Sequence, residues 1–314
     1  MFQVIRADRV CGPVIKQKML QFTDCGENVS LEYLSFDSLE RTGIVDHLFS
    51  TRIGGVSEGI YSSMNLSFTR GDNSTAVLKN YERIAKAMKG NVKEMVAAHQ
   101  THTTNIRRVT REDMGKGVTA VRDYEEIDGL ITDERGIILA TFYADCVPLF
   151  FVDPEHKAIG LAHSGWRGTV AQMGACMVKA MQEQFGSRPE SLIAAIGPSI
   201  CQECYEVSEE VASAFEVLLA SMDSERIQEE MEECGFYADS DGKTRKVLKQ
   251  GKSSGKYQLD LWLANAIIMR NAGIPLSRIE VTDICTCHNP KYLFSHRASN
   301  GRRGNLGAFL KLKI

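Results

Sequence analysis

The sequence predicts an α/β chain, on three observations. Apolar, β-branched runs of strand length recur from residue 29 to residue 312. Stretches with apolar residues at helical spacing lie between them. No repeat at solenoid periods interrupts the pattern. The 314 residues fit one large domain or two smaller ones, and such a chain can bury a full core without disulfide staples.

Taken in order, residues 29–36 alternate loosely and predict a strand. Residues 47–50 predict a second, running into Arg52-Ile-Gly-Gly-Val-Ser57, where paired glycines mark a tight turn or close backbone approach. Residues 72–88 predict a helix: Asp72, Asn73 and Ser74 offer caps, and Val77, Tyr81, Ile84 and Met88 share one face. Strands follow at 96–99, 105–109, 129–132 and 137–144. The densest strand signal is 147–152 with 158–162, joined by an Asp-Pro-Glu-His-Lys turn. From Gly165 the period changes: Val170, Met173, Gly174, Met177, Val178 and Met181 suit a buried helix face ending near Gly186. A strand at 192–196, helices at 207–219 and 259–271, and strands at 279–284 and 306–312 complete the reading. Residues 221–256 stand apart as a polar insertion, read as a solvated surface loop, with a lid as the sharper alternative.

The formal net charge of −3 supplies no electrostatic footprint for nucleic acid or an anionic membrane. No apolar run reaches the ~18–20 residues of a membrane span, and charged residues break up the first fourteen. We therefore expect a cytoplasmic, monomeric protein. Nine cysteines, an odd number in a long chain, argue for reduced thiols over a disulfide framework. Cys201-x-x-Cys204 and Cys285-x-Cys287 offer four thiols to a closed zinc site. Cys-x-Cys is not the usual spacing for one, and no histidine spacing compensates, so buried thiols are the expectation there.

Three segments concentrate reactive side chains at predicted strand ends: His99-Gln-Thr-His102, Asp145-Cys146 and His163-Ser-Gly-Trp166-Arg167. A thiolate and two imidazoles suit zinc, with a fourth position open for water or substrate. The same atoms suit a nucleophile–base pair, Cys146 with His163. The residues alone do not rank these.

With these residues the sequence resembles a known family, the YfiH-type, laccase domain-containing or polyphenol oxidase proteins, better described as purine nucleoside phosphorylases. The resemblance runs from about His47 to the C-terminus. It is carried by Thr51-Arg-Ile-Gly-Gly-Val-Ser57, Ser63-Met-Asn65-Leu-Ser67 with Gly71-Asp72, Gln100-Thr-His102, Asp128-Gly-Leu130 and Ala144-Asp-Cys146. It continues through His163-Ser-Gly-Trp-Arg-Gly168, Ile196-Gly-Pro-Ser-Ile200, Cys204-Tyr-Glu-Val207, Asp260-Leu261 and Ser295-His-Arg297. The resemblance implies mixed β-sheets flanked by helices in one domain over 1–314, similar to a toxin deamidase fold. It also implies one Zn²⁺ on His102, Cys146 and His163, which selects His102 over His99. The implied activity is phosphorolysis of adenosine, inosine, guanosine and methylthioadenosine, with adenosine deamination beside it. One branch of the family is linked to editing of peptidoglycan precursors.

Two departures bear on the site. The family's Thr-Gly-Arg reads Arg303-Gly304-Asn305 here, so no role is carried to that arginine; Gln-Val-His-Gly reads Gln100-Thr101-His102-Thr103. The laccase label meets an obstacle. A multicopper oxidase needs more imidazoles than the seven present, largely in His-x-His pairs, and no such pair occurs.

Phosphorolysis breaks a C1′–N9 bond through a cationic sugar, and a metal with an open position can orient phosphate or activate water. Catalysis is expected of Cys146, His163 and His102. Arg52, Arg167 and Arg297 are candidate phosphate clamps. Asn65 and Asp128 are candidates for binding ribose hydroxyls or orienting a ligand imidazole, and Trp166 for stacking on the base. The alternatives are a cysteine hydrolase or amidase using Cys146 and His163, and a zinc-stabilised binding module.

Overall fold

The computed structural model describes residues 15–24, 26–233, 236, 246–282 and 284–314. Cys11, Cys25 and Cys234 lie outside the described residues, as do residues 235 and 237–245 of the 221–256 segment.

Two six-stranded sheets carry the fold. From edge to edge the first runs Ile15–Asp24, Glu27–Phe36, Val45–Ser50, Leu306–Leu312, Ile138–Tyr143, Met95–Ala97. The second runs Ile279–Val281, Ile193–Ile196, Val147–Asp153, Ala158–Ser164, Gly129–Thr132, Ile106–Arg108. They stack face to face, and helices cover both outer faces. Strand alternation divides the side chains among these layers. Phe150, Val152, Ile159 and Leu161 of the second sheet meet Phe49, Leu139, Leu306 and Leu310 of the first. Leu149 and Phe151 point the other way, into a core with Met173, Met177, Met181, Trp262, Ile267 and Ile268. On the outer face of the first sheet, Leu48, Ala140 and Phe309 pack under Val77, Tyr81 and Ile84 of the Ser74–Ala87 helix. Sheets covered on both faces have strands that read as continuous apolar runs. That is why 147–152 and 158–162 stand out in the sequence.

Helix starts follow their caps. Asn73 accepts from the amides of Thr75 and Ala76, and Asp260 accepts from Leu263. The helix expected from Gly165 is two helices, Trp166–Val170 and Met173–Phe185, separated by Gln172 in the left-handed region at φ 60°. The strand expected over 279–284 stops at Val281.

The polar segment 221–256 differs from a solvated loop. Ser224–Glu233 is a helix that buries Ile227 and Met231 completely. Leu248–Gln250 and Lys256–Leu259 pair as a hairpin and join Glu206–Ser208 in a three-stranded sheet. Among the described residues, no helix is long and apolar enough to cross a membrane.

Candidate metal centre and cleft

Register builds the site. Val147–Asp153 and Ala158–Ser164 are antiparallel, with Val147 opposite Ser164 and Pro148 opposite His163. Cys146, one residue before its strand, therefore lies beside His163 and the turn that follows it. Gly129–Thr132 pairs with the other edge of Ala158–Ser164, and the amide of His163 donates to the carbonyl of Asp128 at 2.9 Å. His102 arrives from the loop between Met95–Ala97 and Ile106–Arg108.

Asp128 organises that loop. Its buried carboxylate accepts from the backbone amides of Thr101, His102 and Thr103 at 3.0, 3.1 and 3.0 Å, and from the Thr103 hydroxyl at 3.0 Å. It also accepts from His163 Nδ1 at 2.7 Å. Three converging amides hold His102 in the left-handed region, at φ 68°. With Nδ1 committed to Asp128, His163 turns Nε2 to the site, the arrangement that orients a metal-binding imidazole.

The Cys146 Sγ lies 3.9 Å from His102 Nε2, and the two imidazoles meet edge-on at a centroid separation of 5.0 Å. The three ligand atoms lie within 4.8 Å of one another. Burial pushes the Cys146 thiol up, but His163 and His102 outweigh it and bring it down to about 6. Burial pushes His163 down, but Cys146 and Asp128 outweigh it and raise it to about 9. Gly165 leaves room for this convergence: a Cβ there would lie 2.8 Å from the His102 ring and 3.1 Å from Cys146 Sγ. One soft thiolate, two imidazoles and a carboxylate behind one of them fit a zinc ion with an open position.

The three residues form the floor of a cleft of about 320 Å³. Among the described residues, Arg70, Arg122 and Arg303 line it and no carboxylate does, while Phe68 and Phe142 give it apolar walls. Arg303 is buried, and its Nε has no hydrogen-bond partner. Burial, with Arg70 nearby, lowers it to about 10, which leaves it charged at neutral pH. A buried guanidinium near another arginine, in a cleft without acids, is arranged to receive an anion.

The residues expected to contact substrate do not line this cleft. Asn65 is fully buried; its side chain donates to Asp72 and the Ser67 carbonyl and accepts from the amides of Ser67 and Asn305. That network ties loops together and leaves nothing for a ribose. Asp128 is likewise saturated and acts through His102 and His163. Arg52 donates to the carbonyls of Ser62 and Pro290 and lies over Phe294 at 4.5 Å, which ties two loops together. Arg167 is exposed and stacks on half-buried Trp166 at 4.3 Å. Arg297 donates to the carbonyls of Cys204 and Glu206 and lies 5.4 Å from the Tyr205 ring. None of these six lines the cleft. Sequence reasoning does not single out Arg70, Arg122 or Arg303. For Arg303, the Arg-Gly-Asn triplet at the family's Thr-Gly-Arg position is the available signal.

A second group of donors lies apart from this one. Cys201, Cys204, Cys285 and His288 place their ligand atoms within 4.8 Å of one another. The four-thiol set raised by the sequence is corrected in one member: His288, three residues after Cys285, takes the place of Cys287. The six described cysteines are all free.

The family described as "Multi-copper polyphenol oxidoreductase laccase" matches residues 46–313. The chain is 36% identical over 269 residues to a Bacillus subtilis protein named purine nucleoside phosphorylase YlmD, covering 84% of this chain and 87% of that one. It is 33% identical to a Bacteroides thetaiotaomicron protein named purine nucleoside phosphorylase, covering 87% and 93%. Among solved structures it resembles Geobacillus stearothermophilus YlmD, with a TM-score of 0.77, 30% identity and coverage of 96% of this chain and 100% of that one. Bacillus licheniformis YfiH gives 0.76 at 31% identity, covering 90% and 96%.

Proposed function

The chain belongs to the family described as multi-copper polyphenol oxidoreductase laccase, and we propose that it is a zinc-dependent purine nucleoside phosphorylase. The observation that carries this reading is the acid-free cleft that sets Arg70 and Arg303 around the Cys146–His102–His163 floor. The relatives' names supply the reaction; adenosine, inosine, guanosine and methylthioadenosine are its proposed substrates. The family's copper label has less support. Among the described residues, only His102 and His163 of the seven histidines meet at one candidate centre.

A zinc ion held by His102, Cys146 and His163 supplies a positive charge with an open coordination position. The chain's own groups do the rest. Arg303 and Arg70 hold phosphate by charge-assisted hydrogen bonds and neutralise part of its charge. A phosphate oxygen then bonds to C1′ as the C1′–N9 electron pair departs with the purine, which takes up the proton that hydrogen phosphate gives up. Phe68 and Phe142 shelter the base from water. Asp128 fixes His163 and the 101–103 loop without touching substrate. Adenosine deamination is a side activity within the same reading. So are a single domain over 1–314 and a cytoplasmic monomer.

The test is incubation of metal-analysed protein with adenosine and phosphate, with products separated, beside Cys146→Ala. Adenine and ribose-1-phosphate, lost in the variant together with one zinc, are expected. A zinc-loaded protein that releases no base would overturn the reading.

A second reading has its own observation. Cys146, His163 and Asp128 also stand in the order of a nucleophile, a base and its orienting acid. A cysteine amidase built on them predicts that metal-free protein is active and that iodoacetamide abolishes the activity.

A further inference from the structure

Two loops leave the second sheet side by side. Ile193–Ile196 and Ile279–Val281 are parallel neighbours, with Ala194 opposite Ile279 and Ile196 opposite Val281. Their extensions stay together: Ser199 bridges Cys285, and the amide of Thr286 donates to the Ser199 carbonyl at 3.0 Å. The first loop carries Cys201-Gln-Glu-Cys204 and the second Cys285-Thr-Cys-His288. Parallel register thus brings a Cys-x-x-Cys against a Cys-x-x-His.

The donors converge closely. The amide of Cys201 donates to Cys285 Sγ at 3.3 Å. The His288 ring lies between two sulfurs, with Nδ1 3.7 Å from Cys201 Sγ and Nε2 3.2 Å from Cys204 Sγ. A tetrahedral zinc, with Zn–S of about 2.3 Å and Zn–N of about 2.0 Å, places its sulfur and nitrogen ligands about 3.5 Å apart. One ring nitrogen binds such an ion: Nε2, 3.2 Å from Cys204 Sγ, fits that edge, and one ligand atom from each of the four residues lies within 4.8 Å of the others. Cys201 and Cys285 are buried, and Cys204 and His288 are half-buried. We propose that Cys201, Cys204, Cys285 and His288 form a second, closed zinc site, a structural clip distinct from the centre in the cleft.

Ligand chemistry sets the metal class and the role. Three thiolates and an imidazole select a soft divalent ion such as zinc over magnesium or calcium. Four protein ligands leave no open position, so the site holds structure and takes no substrate. What it holds is adjacent to the cleft. The amide of Ile200 donates to the Asp145 carbonyl at 3.1 Å, and the Thr286 hydroxyl donates to the Asp145 carboxylate at 2.6 Å. The amide of Arg297 donates to the same carboxylate at 2.7 Å, while its side chain reaches the Cys204 carbonyl at 3.2 Å. Asp145, at φ 86°, immediately precedes Cys146. The clip therefore braces the turn that presents the cleft thiolate.

The experiment is metal counting on full-length protein produced with zinc and purified without chelator: wild type, Cys146→Ala, Cys285→Ser and His288→Ala. Two zincs per wild-type chain are expected, and one in each variant. Cys146→Ala leaves the second site untouched, so its remaining ion does not depend on whether a clip variant folds. Its cobalt-substituted form should show thiolate-to-cobalt charge transfer and the intense visible bands of a tetrahedral ion. A zinc retained in Cys146→Ala supports the clip even if wild type holds only that one, an outcome that would count against the cleft centre instead. A Cys146→Ala protein that carries no zinc and gives no cobalt–thiolate spectrum would overturn the proposal. So would thiol titration of the denatured, unreduced protein showing Cys201 and Cys285 joined as a disulfide.

Discussion

Asp128 shows how one side chain can govern a site without touching substrate. It fixes the backbone of one metal-ligand candidate and the ring of another, so Asp128→Asn substitutes an NH₂ that faces several donors. We expect zinc affinity at the cleft to fall roughly 10–100-fold, the usual cost of losing an outer partner of a ligand histidine. Competition with a chromophoric chelator measures this, and unchanged affinity would remove Asp128 from the site. In the proposed reading Arg303 touches phosphate directly. Arg303→Ala should raise KM for phosphate by about 10–100-fold, since a charge-assisted hydrogen bond contributes about 1.5–3 kcal/mol; KM for adenosine should move far less. An unaltered phosphate KM would place the anion elsewhere. His47 matters for stability rather than chemistry. Its Nε2 accepts from the Phe36 amide at 2.7 Å, and burial holds it down at about 4 against an ordinary 6.5. The unfolded chain thus binds a proton that the folded one refuses. Stability is intact above pH 6.5 and falls as pH drops toward about 4, by roughly 3 kcal/mol at about 1.4 kcal/mol per pH unit. Denaturant melts of wild type and His47→Gln, whose amide oxygen can accept the same bond, should diverge in that window and not above it.

At the scale of elements, legibility tracks burial on both faces. The strands around Cys146 and His163 are apolar throughout, so their ends, where the ligands sit, are readable from sequence. Ile15–Asp24 is not, because it is an edge strand whose exposed face carries Gln17, Met19, Gln21 and Thr23. Nor is Ser224–Glu233, where Ile227 and Met231 stand i, i+4 among eight polar residues. That pair gives a prediction the sequence reading would not make. Ile227→Ala should cost about 2–4 kcal/mol, as for a core residue, whereas Glu229→Ala should cost under about 0.5 kcal/mol. Urea melts decide it; equal, small effects would return the segment to a surface loop. Long-range convergence is the least legible feature. Read from the sequence, no histidine completes Cys201-x-x-Cys204 and Cys285-x-Cys287; only the parallel pairing of two short strands brings His288, three residues after Cys285, to that group. The arginines of the cleft come from three separate loops, and no local pattern joins them.

The whole molecule is closed by its last strand. Leu306–Leu312 lies in the middle of the first sheet, between Val45–Ser50 and Ile138–Tyr143. Leu306, Ala308, Leu310 and Leu312 enter the core between the sheets, and Phe309 enters the opposite core beneath the Ser74–Ala87 helix. Both neighbours pair with it from far away in sequence, the kind of contact that slows folding. Removing 306–314 would leave two unpaired strand edges and open two apolar cores. The lead-in to this strand also carries Arg303 and Asn305 into the cleft wall, so sheet closure and completion of the anion site are one event. A chain ending at Asn305 should therefore lose cooperative unfolding and phosphate binding together, while far-UV circular dichroism retains part of its helical signal. Near-UV circular dichroism and phosphate titration of the truncated chain test this. A cooperative melt close to that of the full chain would show that the two sheets hold without their central strand, and would separate the anion site from the closure of the fold.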